Sequence, residues 1–146
     1  MSAKKFFTTE QQNRIIDSIA KAELNTSGEI RVHIDDDCKE NVLDKAAGVF
    51  HNLKMDKTEL RNGVLFYLAV NDRKYAILGD KGINEKVPEN FWDNIKDLML
   101  EHFKREQFAE GLAKGIEMAG EKLKAHFPLQ VNDKNELNNE VSFGKQ

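Results

Sequence analysis

The chain has one cysteine, two prolines, one tryptophan and no long apolar run. Cys38, standing alone, excludes an internal disulfide and fits a reducing compartment. The longest apolar run, Val64 to Val70, is about a third of a membrane span, so direct insertion into a bilayer is not expected. The opening MSAKKFF has two lysines but no extended apolar stretch behind them. No secretion signal is therefore expected, and the cytoplasm is the default compartment. Positive charge is scattered too: 22 Lys and Arg stand against 25 Asp and Glu, for a net charge of −3. With no basic stripe and no binding fingerprint, nucleic acid is not an expected partner.

The 146 residues, 40% of them hydrophobic, suit one packed domain. Residues 8–24 read as a helix, with Thr8 and Gln11 as a capping box and Ile15, Ile16, Ile19 and Leu24 at helical spacing. EIRVHID, residues 29–35, alternates in polarity and reads as a half-buried strand towards one edge of a sheet. An acidic turn, Asp35 to Asp37, follows, and Asn41 can cap a second helix carrying Val42, Ala46, Val49, Phe50 and Leu53. Residues 63–70 are apolar on both faces, as a central strand covered by helices should be. A short polar turn leads to a third strand at 75–78, giving an antiparallel hairpin. Strands one and two, joined by a helix, should run parallel.

Pro88 suits the first turn of a third helix, with Phe91, Trp92, Ile95, Leu98, Met99 and Phe103 on its apolar stripe. A fourth helix spans roughly 106–126, where Gly111 and Gly115 invite close approach by another element, and Pro128 ends it. Residues 1–128 thus form a single domain, and the polar segment 129–146 reads as a mobile tail. The order α-β-α-β-β-α-α calls for a small sheet covered by helices.

Three pieces in this order, AELNTSGEIRVHI, RNGVLFYLAVNDRKYAILGDKGI and then Val87 with Phe91-Trp92, resemble the TPM domain family. That family includes a thylakoid-lumen acid phosphatase and many bacterial proteins, often membrane-anchored. The likeness covers roughly residues 8–126 and is closest to the stand-alone bacterial form. It implies a Rossmann-like three-layer α/β/α sandwich, a small mixed sheet flanked by helices. It also implies binding of a divalent metal, calcium or magnesium, and phosphatase activity in some members; others look like assembly factors. Longer members often have an aspartate just before their Asn-Gly-Val, where this chain has Arg61. If that aspartate is a ligand, this chain must coordinate differently.

Two ends of the sheet can carry a site. At the end where strand one begins, Glu29, Asp80 and Glu85 are carboxylate candidates, with Asn62 filling the shell of a hard cation. Arg61 and Lys81 would neutralise a phosphate there, Ser27 could contact it, and Gly82 would let the backbone come close to a ligand. The opposite end gathers Asp35, Asp36, Asp37 and the turn Asn71-Asp72-Arg73, where open parallel sheets usually bind ligands. The family's glycine-acid features match the first end, which is therefore favoured.

The plainer readings are a solvated turn for Asp35 to Asp37, a polar turn for Asp80 and a salt bridge for Glu29. His33 would make a surface hydrogen bond, and Arg73 would fix the hairpin. Cys38 has no arginine six residues on and so makes no Cys-x5-Arg phosphatase loop; an Asp-x-Asp motif of the haloacid type is absent, and Gly79 to Gly82 is not a P-loop. The expected function is a divalent-metal-dependent phosphatase acting on a phosphorylated small molecule or protein. Glu29, Asn62, Asp80 and Glu85 would hold the metal, and Asp80, Arg61 and Lys81 would carry the chemistry with water as nucleophile. The alternative is a non-catalytic metal-binding module that docks a membrane-associated protein partner.

Overall fold

A computed structural model describes residues 3–129 and 141–144. The elements are α1 (Ala3–Phe6), α2 (Thr9–Glu23), β1 (Glu29–Asp35), α3 (Val42–Asn52), a 3-10 turn (Met55–Lys57), β2 (Gly63–Ala69), β3 (Lys74–Gly79), α4 (Lys81–Lys86), α5 (Asp93–Lys104), α6 (Phe108–Leu123) and β4 (Ser142–Phe143). The sheet order is β3-β2-β1-β4. β1 runs parallel to β2 and to β4, and β2 runs antiparallel to β3.

Alternation along each strand sorts the side chains into two cores. Ile30, Val32, Ile34, Val64, Phe66 and Leu68 meet Ile15 and Ile19 of α2, Ile95 and Met99 of α5, and Leu112 and Ile116 of α6. On the other face Leu65, Tyr67 and Ala69 meet Ala46, Val49 and Phe50 of α3, together with Met55. The result is an α/β domain in three layers, with a small mixed sheet flanked by helices, as the sequence leads one to expect.

Caps and boundaries follow local chemistry. Thr8 and Gln11 form the reciprocal box at the start of α2, and the Asn41 side chain accepts from the amides of Leu43 and Asp44 at the start of α3. Two expectations need correction. Pro88 does not open a helix: residues 89–92 are turns, α5 begins at Asp93, and Phe91 and Trp92 pack against each other edge to face before it. Pro128 does not stop α6 directly; it pairs with Thr26 as an isolated bridge.

β1 is not the edge strand. Ser142 and Phe143 pair with His33 and Ile34 and lie outside it. On the polar face of β1, Glu29, His33 and Asp35 are buried, and Arg31 is half-buried. Residues 130–140, within the expected tail, lie outside the described residues.

Candidate functional site

At the amino end of β1 the structure brings several expected residues together, but engages them with one another. Arg61 donates to both carboxylate oxygens of Asp80, from Nε to Oδ2 at 2.8 Å and from Nη2 to Oδ1 at 2.9 Å. Oδ1 also accepts from the Lys81 amide at 2.7 Å, which makes Asp80 the N-cap of α4. The glycine-flanked segment is therefore a helix start. A Cβ on Gly82 would lie 2.2 Å from the Leu60 carbonyl, so what approaches this glycine is the chain's own backbone. The Asn62 side chain donates to the Ser27 carbonyl at 3.1 Å. Glu29 is buried at the start of β1, where its amide donates to the Asn62 carbonyl. Glu85 is exposed and stands 4.0 Å from the exposed Lys81 ammonium. A guanidinium thus occupies the face of Asp80 that a cation would need, and this end does not fit a metal as arranged.

The carboxyl end of β1 is built differently. The backbone of its last residues is pinned to the hairpin, since the amides of Val70 and Asn71 donate to the carbonyls of Asp35 and Asp36. Asp72 accepts from the Cys38 amide at 2.7 Å and from Lys39 Nζ at 3.3 Å, and Lys74 Nζ donates to the Cys38 carbonyl at 3.0 Å. The acidic turn is thereby held in place rather than left as a solvated loop.

Inside it, four side chains form a chain of hydrogen bonds. Ser142 Oγ lies 2.8 Å from His33 Nδ1, and His33 Nε2 lies 2.9 Å from Asp35 Oδ1. The Tyr67 hydroxyl donates to Asp35 Oδ2 at 2.6 Å. Burial on its own would raise the Asp35 carboxyl, but the hydrogen bonds from His33 and Tyr67 outweigh it and hold the group below the ordinary aspartate range. Burial, and then the bond to Asp35, push the Tyr67 phenol up, so it stays a protonated donor. His33 is therefore not the surface residue its place on an alternating strand suggests. Nothing in the sequence within β1 signals this; the partner is Ser142, in the segment read as a tail.

A cavity of about 580 Å³ opens beside this network. Asp35, Asp36, Asp37, Lys45, Phe143 and Gly144 are among the residues that line it, and among the described lining residues Lys45 is the one lysine or arginine. Lys45 Nζ lies 4.0 Å from Asp35 Oδ2. Among the described residues no three acidic, histidine or cysteine side chains converge closely enough to form a ready metal cage. The donor chemistry nonetheless suits a hard cation. Magnesium in particular keeps several of its waters and takes one or two carboxylates plus substrate oxygens.

The model of the TPM domain family matches residues 2–122 of the chain. This chain belongs to the TPM domain family. Its structure is similar to the NMR structure of the BA42 protein from the psychrophilic bacterium Bizionia argentinensis, with 48% identity, 97% of each chain covered and a TM-score of 0.92. Two more distant TPM-like folds share the architecture alone. One is the N-terminal domain of a P. gingivalis protein, at 18% identity and a TM-score of 0.68, covering 84% of this chain and 80% of that one. The other is the N-terminal domain of the cg2496 protein from Corynebacterium glutamicum, at 12% identity and a TM-score of 0.62, covering 93% and 80%. No curated protein matches the chain. Among the described residues no helix of this TPM domain is long and apolar enough to cross a membrane.

Proposed function

We propose that this TPM domain hydrolyses phosphate monoesters in the cavity at the carboxyl end of β1 and β2, with a divalent cation held by Asp36 and Asp37. One observation supports the reading: three consecutive carboxylates, Asp35, Asp36 and Asp37, line this cavity, with Lys45 as the one lysine or arginine among its described lining residues. A phosphate dianion entering such a site alone would be repelled by the carboxylates. A bound calcium or magnesium ion would supply the missing charge, and would lower the pKa of an attacking water.

The chain's own residues divide the remaining work. Asp36 and Asp37 present oxygens at the cavity rim. Lys45, on α3, is placed to meet a phosphate oxygen. His33 and Tyr67 fix both oxygens of Asp35, so that Asp35 shapes the wall and does not swing into the opening. The position at the carboxyl ends of parallel strands agrees with where open α/β sheets bind their ligands. This reading moves the reaction away from Asp80, Arg61 and Lys81, which hold the start of α4.

The test is a titration of calcium and of magnesium into the metal-stripped protein, followed by amide NMR shifts, beside hydrolysis of p-nitrophenyl phosphate in preparations checked for contaminating phosphatase. Saturable shifts are expected at residues 33–37 and 45. Asp36→Asn with Asp37→Asn should lower turnover by about 100-fold or more, the scale on which loss of charge stabilisation acts. Full turnover in that double variant, or shifts at 26–29, 61–63 and 79–85 instead, would place the reaction at the other end. Saturable shifts without any turnover would leave a cation-binding interaction module.

A further inference from the structure

A second cavity, of about 550 Å³, lies on the other side of the sheet, between the β2–β3 hairpin and the corner joining α5 to α6. Its floor is aromatic. Tyr75 meets Phe103 edge to face with ring centroids 5.2 Å apart, and Phe103 lies tilted against Phe108 at 5.3 Å. Its rim is basic: Arg73, Lys104 and Arg105 line it, with Glu106 as the one carboxylate among the described lining residues. The volume falls in the range of small-molecule sites, and an apolar body with a few charged groups at one side is their usual composition.

The rim residues stand where the backbone would prefer others. Arg73 has φ 52° and Glu106 has φ 59°, both in the left-handed region. Glycine or asparagine relieves that strain in hairpins and after helices, yet two long charged side chains are found. They face one another: Arg73 Nη2 lies 3.2 Å from Glu106 Oε1. The Arg73 guanidinium also sits 5.4 Å above the centre of the Phe108 ring. Both members of the ion pair are largely exposed, so the pair itself adds little to stability. Its geometric effect is to hold a cation at the mouth of an aromatic cavity, screened by a carboxylate that an incoming anion can replace.

We propose that this cavity binds a small organic anion carried on a flat ring, such as an aryl phosphate or phosphonate. The ring packs against Tyr75, Phe103 and Phe108. The charged group pairs with Arg73 in place of Glu106, with Lys104 and Arg105 contributing field from the rim. The site is independent of the acidic cavity, which lies across the sheet against α3.

Phenylphosphonate is the probe, because it has no ester bond and so cannot report on hydrolysis. Titrated into the full chain without added metal, it should give saturable amide shifts at Leu68, Arg73, Tyr75, Phe103 and Phe108. Inorganic phosphate and phenol should each bind at least about ten-fold more weakly, since each supplies half of the contacts. Arg73→Gly should lower affinity by at least about ten-fold, the loss of one charge-assisted pair, while the melting temperature stays the same or rises because strain is relieved. Glu106→Gly should do the reverse and tighten binding several-fold, because the competing carboxylate is gone. A purely structural ion pair predicts neither affinity change. No saturable shift at these residues, shifts confined to 33–37, unchanged affinity in Arg73→Gly, or weaker binding in Glu106→Gly would each overturn the assignment.

Discussion

Asp80 shows how one residue type can suit two chemistries until its neighbours are seen. Flanked by glycines after a strand, it reads as a cation ligand or as a polar turn, and the structure makes it the cap of α4. Arg61 decides the matter by taking both carboxylate oxygens. The alanine variant should lose about 1 kcal/mol through the cap alone, and more at low salt where the half-exposed pair is least screened. Denaturant unfolding at two ionic strengths measures both parts, and the cation response at residues 33–37 should survive. Asp72 supports a prediction about acid. Its carboxyl is held below the ordinary aspartate value, chiefly by the Cys38 amide, whose effect exceeds the opposing one of burial, with Lys39 adding to it. A lowered folded-state value means that its stabilisation is present above the ordinary aspartate range and is lost as pH falls through it. Asp72→Asn should therefore flatten the acid limb of a plot of melting temperature against pH and leave the neutral region nearly parallel.

At the scale of elements, periodic segments are legible and short ones are not. α2, β1, α3 and the β2–β3 hairpin follow from hydrophobic spacing, because each buries one face over several repeats. α4 has six residues, a glycine at its second position and one buried side chain, Ile83, so no period can emerge. β4 is two residues long in a polar stretch, and only pairing to β1 defines it. The candidate site divides in the same way. The acidic triplet is visible in the sequence, while the His33–Asp35–Tyr67 network needs tertiary contact to be seen. Glycines in α6 mark helix packing, as spacing suggests: a Cβ on Gly115 would meet Met99 Cγ at 2.6 Å, and one on Gly120 would meet the Ala22 Cα at 2.6 Å. Met99 is a flexible side chain that can move, whereas Ala22 presents backbone. Gly120→Ala should cost about 1–3 kcal/mol through overpacking, more than the roughly 1 kcal/mol of helix propensity it gains. Gly115→Ala should change stability by less than about 1 kcal/mol. Chemical unfolding of the two variants side by side checks the contrast.

Over the whole molecule, the sheet separates an acidic cavity against α3 from a basic aromatic one against α5 and α6. β4 is the thinnest part of this design and walls the acidic side. A Cβ on Gly144 would sit 1.8 Å from Asp35 Oδ1, so Gly144→Ala should expel the strand while sparing the core. Amide exchange at 142–144 should then rise to unprotected rates, with β2 and α2 unchanged. The pairing also spans an unusual distance along the chain: Ser142 meets His33 across 109 residues. Closing so long a loop costs entropy that a two-residue strand can repay only once the rest is already in place. Synthesis imposes the same order, since residues 142–144 leave the ribosome after the segments they pair with. A newly made molecule would therefore pass through a stage with its core formed and its acidic cavity unwalled, and that interval is when a cation or a competing strand would find Asp35 most accessible.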